Sequence, residues 1–184
     1  MASLADLSDL QNSWSSNCSD KHFPKFCPQS TGPYHTLILL ETPGSEARDG
    51  KVSMFNKDDT AREICRLVNI AFNEDKRSGV LLWNAIPWVL DDKRQPKISD
   101  VIEAIELGLH DELLKLLSND LKFVVLMGGH SRRLLPYLST KIGNAHLLGG
   151  HHTSRRTKNF HPESIQENEA VFQHIRNSFK SHNF

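Results

Sequence analysis

Between Val80 and Trp83 the chain runs through four consecutive apolar residues, and Asn84 ends the run before Ala85-Ile86-Pro87-Trp88. A short apolar run with no polar alternation is the pattern of a strand buried on both faces, as in a parallel sheet. The Pro-Trp pair terminates it. Asn84 then falls at the C-terminal end of a strand, where open α/β sheets bind their ligands. Its amide offers a donor and an acceptor in one plane, which suits the edge of a nucleobase.

Three further short runs rich in apolar residues read as strands. Thr36 to Leu40 is the first, Val80 to Trp83 the second, Phe123 to Met127 the third and Ala145 to Leu148 the fourth. Helical spacing separates them. Thr60 to Phe72 carries Ala61, Ile64, Leu67, Val68 and Ala71 on one face, and Ile98 to Leu117 is amphipathic with an expected break at Gly108. Another helix opens near His130-Ser131-Arg132-Arg133, and Ser164 to Phe179 reads as a last helix, with Ser164 and Glu167 spaced as a capping box. Strands alternating with helices predict an α/β fold, a three-layer α/β/α sandwich around a central, mostly parallel four-stranded sheet.

Residues 1–33 read as an N-terminal extension packed on a body of residues 34–184. Leu4, Leu7, Leu10 and Trp14 have helical spacing, and a loop then passes through Pro24, Pro28 and Pro33. A length of 184 residues suits one full-sized core. The formal net charge is zero, so any nucleic-acid contact must come from a local patch rather than a global basic field. Cys18, Cys27 and Cys65 have neither disulfide nor metal-site spacing, which fits a reducing compartment. With no secretory pattern at the start and no membrane-length apolar stretch, the expected location is intracellular, in the cytoplasm or nucleus.

Polar residues follow each strand. Glu41-Thr42-Pro43-Gly44-Ser45-Glu46 follows the first, Asn84 the second, Gly128-Gly129-His130 the third and Gly149-Gly150-His151-His152-Thr153-Ser154 the fourth. Each alone reads as a turn. Together, at the ends of parallel strands, they predict one shared cleft.

These segments, in order from about Leu37 to Ile175, resemble the uracil-DNA glycosylase superfamily. Leu40-Glu41-Thr42-Pro43-Gly44 resembles its first motif, in the style of bacterial members that read Leu-Leu-Glu-Ala-Pro-Gly. Ser53 to Arg62 resembles their Asn-Asp-Asp-Pro-Thr-Ala-Arg segment, and Leu82 to Trp88 is similar to their Leu-Trp-Asn-Ala-Val-Pro-Trp motif. Val124 to Gly128 looks like their third strand, and His152-Thr153-Ser154 falls where the superfamily has His-Pro-Ser. Thr153 replaces the proline and His151 precedes the motif, so either histidine can be the catalytic one.

The resemblance implies a monofunctional, cofactor-free and metal-free hydrolase of base excision repair, acting as a monomer on DNA that contains uracil or another deaminated base. His152 would hydrogen-bond the departing base anion. Glu41 would orient water or stabilise the cationic sugar, and Thr42, which is no base, could hold a water. Asn84 would read the extruded base, accepting from uracil N3–H and donating to O4. Phe55 could stack on that base or simply pack in the core. Ser154, Arg155, Arg156 and Lys158, with Arg132 and Arg133 as possible additions, would bind DNA phosphates.

Two other readings stand beside this one. A non-catalytic nucleic-acid-binding member would keep the fold without turnover. A metal-dependent phosphoesterase is suggested by Gly150-His151-His152-Thr153, with His130, His146 and His161 as further ligands, but Glu41-Thr42-Pro43 stands where such enzymes need Asp-x-His.

Overall fold

The computed structural model describes residues 1–44, 47, 50–91 and 94–181, without the side chains of Arg155, Arg156 and Lys158. Ser45 and Glu46, included in the first polar constellation, lie outside the described residues. In chain order the elements are α1 (Leu4–Asn17), β1 (Lys25–Phe26), β2 (Thr36–Leu40), β3 (Lys51–Val52), α2 (Asp59–Ala71) and α3 (Glu74–Arg77). They continue with β4 (Val80–Asn84), α4 (Ile98–Glu106), α5 (Leu109–Leu117), β5 (Phe123–Met127), α6 (Gly129–Arg132), α7 (Leu135–Leu138), β6 (His146–Gly150), α8 (Arg155–Phe160) and α9 (Glu163–Ser181).

The main sheet has the order β4-β2-β5-β6, and all three pairings are parallel. All fifteen residues of β4, β2 and β5 are buried, and all but Thr36 and Asn84 are apolar, as a sheet covered on both faces requires. From β2 the chain moves to one side, to β4, and then back past β2 to β5 and β6. Right-handed crossovers therefore carry α2 over one face and α4 and α5 over the other. α9 joins α2 on the first face, and α1 joins α5 on the second. The result is the expected α/β/α sandwich. The reversal of direction between β2 and β5 opens a crevice at their C-terminal ends, the position at which this topology binds ligands.

Local chemistry sets most boundaries. The Asp58 carboxylate accepts from Ala61 N–H at 2.8 Å and caps α2. Gly108 interrupts the long amphipathic stretch with φ of 72°, a left-handed conformation that a side chain would strain. Three expectations are corrected. Gly149-Gly150 does not close the fourth strand but extends it, pairing with Leu126 and Met127. A Cβ at Gly150 would lie 2.7 Å from Met127 Sδ and 2.8 Å from Asn168 Oδ1, so this glycine serves close packing rather than a turn. The helix after β5 is split into the single turns α6 and α7, with Pro136 in the first turn of α7. The capping box before α9 does not form: Ser164 is buried inside the helix, and the Glu167 side chain pairs with His151 instead.

The N-terminal extension supplies part of the core. Trp14 is 1% exposed, lies 6.0 Å from Trp83 between ring centroids, and donates its Nε1–H to Glu112 Oε2 at 2.5 Å. Phe26 stacks on Trp83 at 4.0 Å, and β1 pairs with β3. Among the described residues no helix is long and apolar enough to cross a membrane.

Two histidines are held as neutral rings, His110 buried and His35 part-buried. His110 donates Nε2–H to the Ala85 carbonyl at 2.9 Å, and burial pushes its pKa down to about 4. His35 lies 4.9 Å from both Phe72 and Phe179, and burial likewise brings it to about 4. The unfolded chain, with histidines near 6.5, binds more protons than the folded one between pH 6.5 and 4. Their contribution to stability is therefore complete above pH 6.5 and is lost as the pH falls towards 4. We expect each histidine to cost about 2 kcal/mol at pH 5 relative to pH 7.5. Urea denaturation at the two pH values, with His110→Gln as the comparison, measures this, and an unchanged midpoint in the parent protein would rule it out.

Candidate active site

The parallel register brings four strand ends to one edge. Asn84 ends β4, Glu41 and Thr42 follow β2, Gly128 to His130 follow β5, and His151 and His152 follow β6. A cavity of about 260 Å³ opens there, lined among others by Thr42, Pro43, Asn84 and His152 from the strand ends and by Ser53 and Asn56 from the segment before α2.

Asn84 is fully buried, and neither Oδ1 nor Nδ2 has a hydrogen-bond partner among the described residues. Leaving a buried amide unpaired costs on the order of 1–3 kcal/mol, so a side chain of this kind inside a cavity is poised for a polar ligand. Its backbone is tied down. Ala85 N–H donates to Leu40 O at 2.8 Å and Ile86 N–H to Glu41 O at 2.9 Å, while His110 holds the Ala85 carbonyl from beneath.

Glu41 lies beside the cavity. Its Oε1 accepts from the His130 backbone N–H at 2.9 Å and from His130 Nδ1 at 3.3 Å. Its Oε2 is 3.8 Å from His152 Nε2. The carboxylate reaches this position because residue 128 is glycine. Gly128 has φ of 108°, and a Cβ there would stand 2.9 Å from Glu41 Cγ and Oε1.

His152 accepts the Ser154 backbone N–H at Nδ1, at 3.0 Å. The neutral ring therefore carries its proton on Nε2, and that N–H is free to act as a donor. Burial holds its pKa below the ordinary histidine value, with Glu41 pulling it up and His130 pushing it down. His151 turns elsewhere: its Nε2 pairs with Glu167 of α9, and its backbone is clamped by Asn168, through His151 N–H to Oδ1 at 2.7 Å and Nδ2–H to the His151 carbonyl at 3.2 Å. Of the two adjacent histidines, His152 lines the cavity. Thr153 is buried, and its Oγ1 has no partner among the described residues.

The remaining sequence candidates are more dispersed. Ser154 caps α8, its Oγ accepting from Thr157 N–H at 3.3 Å. Phe55 is 48% exposed and outside the cavity lining, which removes ordinary core packing as its explanation. Arg155, Arg156 and Lys158 fall on α8, but their side chains lie outside the described part of the structure. Sequence reasoning did not find His110 or Asn168, nor the Glu41–His130 contact. Only the Gly-Gly-His triplet after β5 gave a signal for any of these. Among the described residues, no group of three or more His, Cys, Asp or Glu side chains is arranged to hold a metal ion.

Neither a protein-family model nor a curated protein sequence matches this chain. Solved structures do. The solution structure of a candidate uracil DNA glycosylase from Methanosarcina acetivorans is 16% identical, covers 82% of this chain and 96% of its own, and superposes with a TM-score of 0.48. The crystal structure of wild-type SMUG2 from Pedobacter heparinus is 10% identical, with 97% of this chain and 84% of that chain covered and a TM-score of 0.50. The chain shares the SMUG2 fold. At such identities the likeness extends to architecture, and the chemistry has to be argued from the side chains.

Proposed function

We propose that this protein is a monofunctional DNA glycosylase that hydrolyses the N-glycosidic bond of uracil or a related deaminated base in DNA. The observation that carries the proposal is the Asn84 amide, fully buried and unpaired in a cavity that also receives His152. The motif resemblance and the shared fold support the same reading.

Cleavage of the bond gives the sugar oxocarbenium character and leaves negative charge on the departing base, so an enzyme must stabilise both. With the base extruded into the cavity, Asn84 accepts from the N3–H and donates to O4. The His152 Nε2–H donates to the oxygen on which negative charge develops, and being neutral it needs no proton transfer to do so. Glu41, held by His130, places a carboxylate beside His152 where it can stabilise the cationic sugar. Thr42 lines the cavity and can hold a water. Ser154, Arg155, Arg156 and Lys158, directly after the catalytic loop, are assigned to the DNA backbone, and Phe55 to stacking on the extruded base.

The deciding experiment incubates the protein with labelled oligonucleotides, each bearing one deaminated base, in single and double strands, and then cleaves abasic sites with alkali. Base release from at least one substrate, unaffected by excess EDTA, is the expected result. No release from any of them, with DNA binding retained, would favour the non-catalytic reading. Loss of release in EDTA with recovery on added zinc or manganese would favour metal-dependent chemistry.

A further inference from the structure

Hydrolysis needs a group that removes a proton from water, and neither Glu41 nor Thr42 fits that role well. Thr42 has no basic atom. Glu41 Oε1 already accepts twice from His130, and Oε2 faces His152.

The two histidines around this carboxylate hold opposite tautomers. His152 receives an N–H at Nδ1, so its proton sits on Nε2. A carboxylate oxygen can only accept, so His130 Nδ1 must carry a proton to bond Glu41 Oε1. The neutral His130 ring then has its lone pair on Nε2, which makes no hydrogen bond among the described residues. This is the arrangement of a general base: a carboxylate fixes the tautomer and orientation of an imidazole whose other nitrogen is left to accept a proton. His130 is part-exposed and lies outside the cavity lining, one carboxylate away from His152. That location suits the task. When the base fills the cavity, the sugar C1′ stays at the mouth, and water must approach from there.

We propose that His130 is the catalytic base of the hydrolysis, a role that rests on the glycosylase reading. Its Nε2 takes a proton from water as the water oxygen bonds C1′. The C1′–N bond breaks, its electron pair leaves with the base, and the resulting anion is held by the His152 Nε2–H. The proton on His130 then returns to solvent, or to the released base.

The test uses His130→Ala and His130→Gln in single-turnover base release, on whichever lesion the wild-type protein cleaves. Loss of a general base typically lowers the rate by about 10²–10⁴. Both variants should show such a loss while binding an oligonucleotide with 2′-fluoro-2′-deoxyuridine as tightly as wild type. Added imidazole should restore much of the rate to His130→Ala, whose side-chain space is vacated, and little to His130→Gln. Variants as fast as wild type overturn the proposal. So does a slow His130→Ala that imidazole leaves slow, because the ring would then only position Glu41. Wild-type protein that releases no base from any lesion overturns the glycosylase reading itself, and this proposal with it.

Discussion

Asn84→Asp should lower uracil excision by roughly 10⁴, a loss of the size seen when a site built to hydrogen-bond its substrate meets a group lacking the partner. The substitution preserves size, so the backbone bonds around Ala85 and Ile86 should be kept, while the unpaired buried carboxylate lowers the melting temperature without preventing folding at the assay temperature. What changes is the donor. A carboxylate presents two acceptors, and its lone pairs oppose those of uracil O4. It could accept from the exocyclic amine of cytosine, but cytosine N3 is then a second acceptor facing it, so at most a trace of cytosine release is expected. Single-turnover excision on uracil and cytosine substrates checks both arms. Wild-type uracil excision by this variant would mean that the amide does not read the base.

His152→Ala should reduce the rate of base release by about 10²–10³ with little change in DNA affinity, because a donor to a departing anion acts chiefly in the transition state. His151→Ala should be the milder change, since its ring is engaged with Glu167 and lies away from the cavity lining. The adjacent substitutions thus form an internal control, measured by turnover rate on one side and equilibrium binding on the other. A reversed order would place the catalytic donor one residue earlier in the loop.

The strands were legible because a parallel sheet imposes a strong signal. Thr36–Leu40 and Phe123–Met127 fall where their apolar runs put them, since burial on both faces demands apolar side chains along nearly the whole run, with Thr36 at the start of the first as the exception. Asn84 was legible for the complementary reason, as a polar residue that ends such a run beside a Pro-Trp stop. Gly149-Gly150 misled because two glycines mean either a turn or close packing, and only the Met127 and Asn168 atoms facing Gly150 decide between them. His110 and Asn168 left no trace in the sequence. One is a helix residue bonded to a carbonyl 25 positions away, and the other bonds a loop 17 positions away, contacts that no local periodicity encodes. The Glu41–His130 contact spans 89 positions and exists only because the sheet order sets β5 beside β2.

The seating of Trp14 constrains the order in which the molecule can assemble. Its neighbours are Phe23 and Phe26 nearby in the chain, Trp83 on β4, and Glu112 on α5, 98 residues away. As the chain emerges during synthesis, the first helix therefore has no complete seat until α5 has been made. Contacts of such sequence separation bear a large loop-closure entropy and form late. Through that interval an apolar indole stays uncovered, the kind of exposure that makes partly folded chains prone to association. Residues of α1 are thus among the last to be fixed, and they close over β4 at Trp83, the residue directly before Asn84.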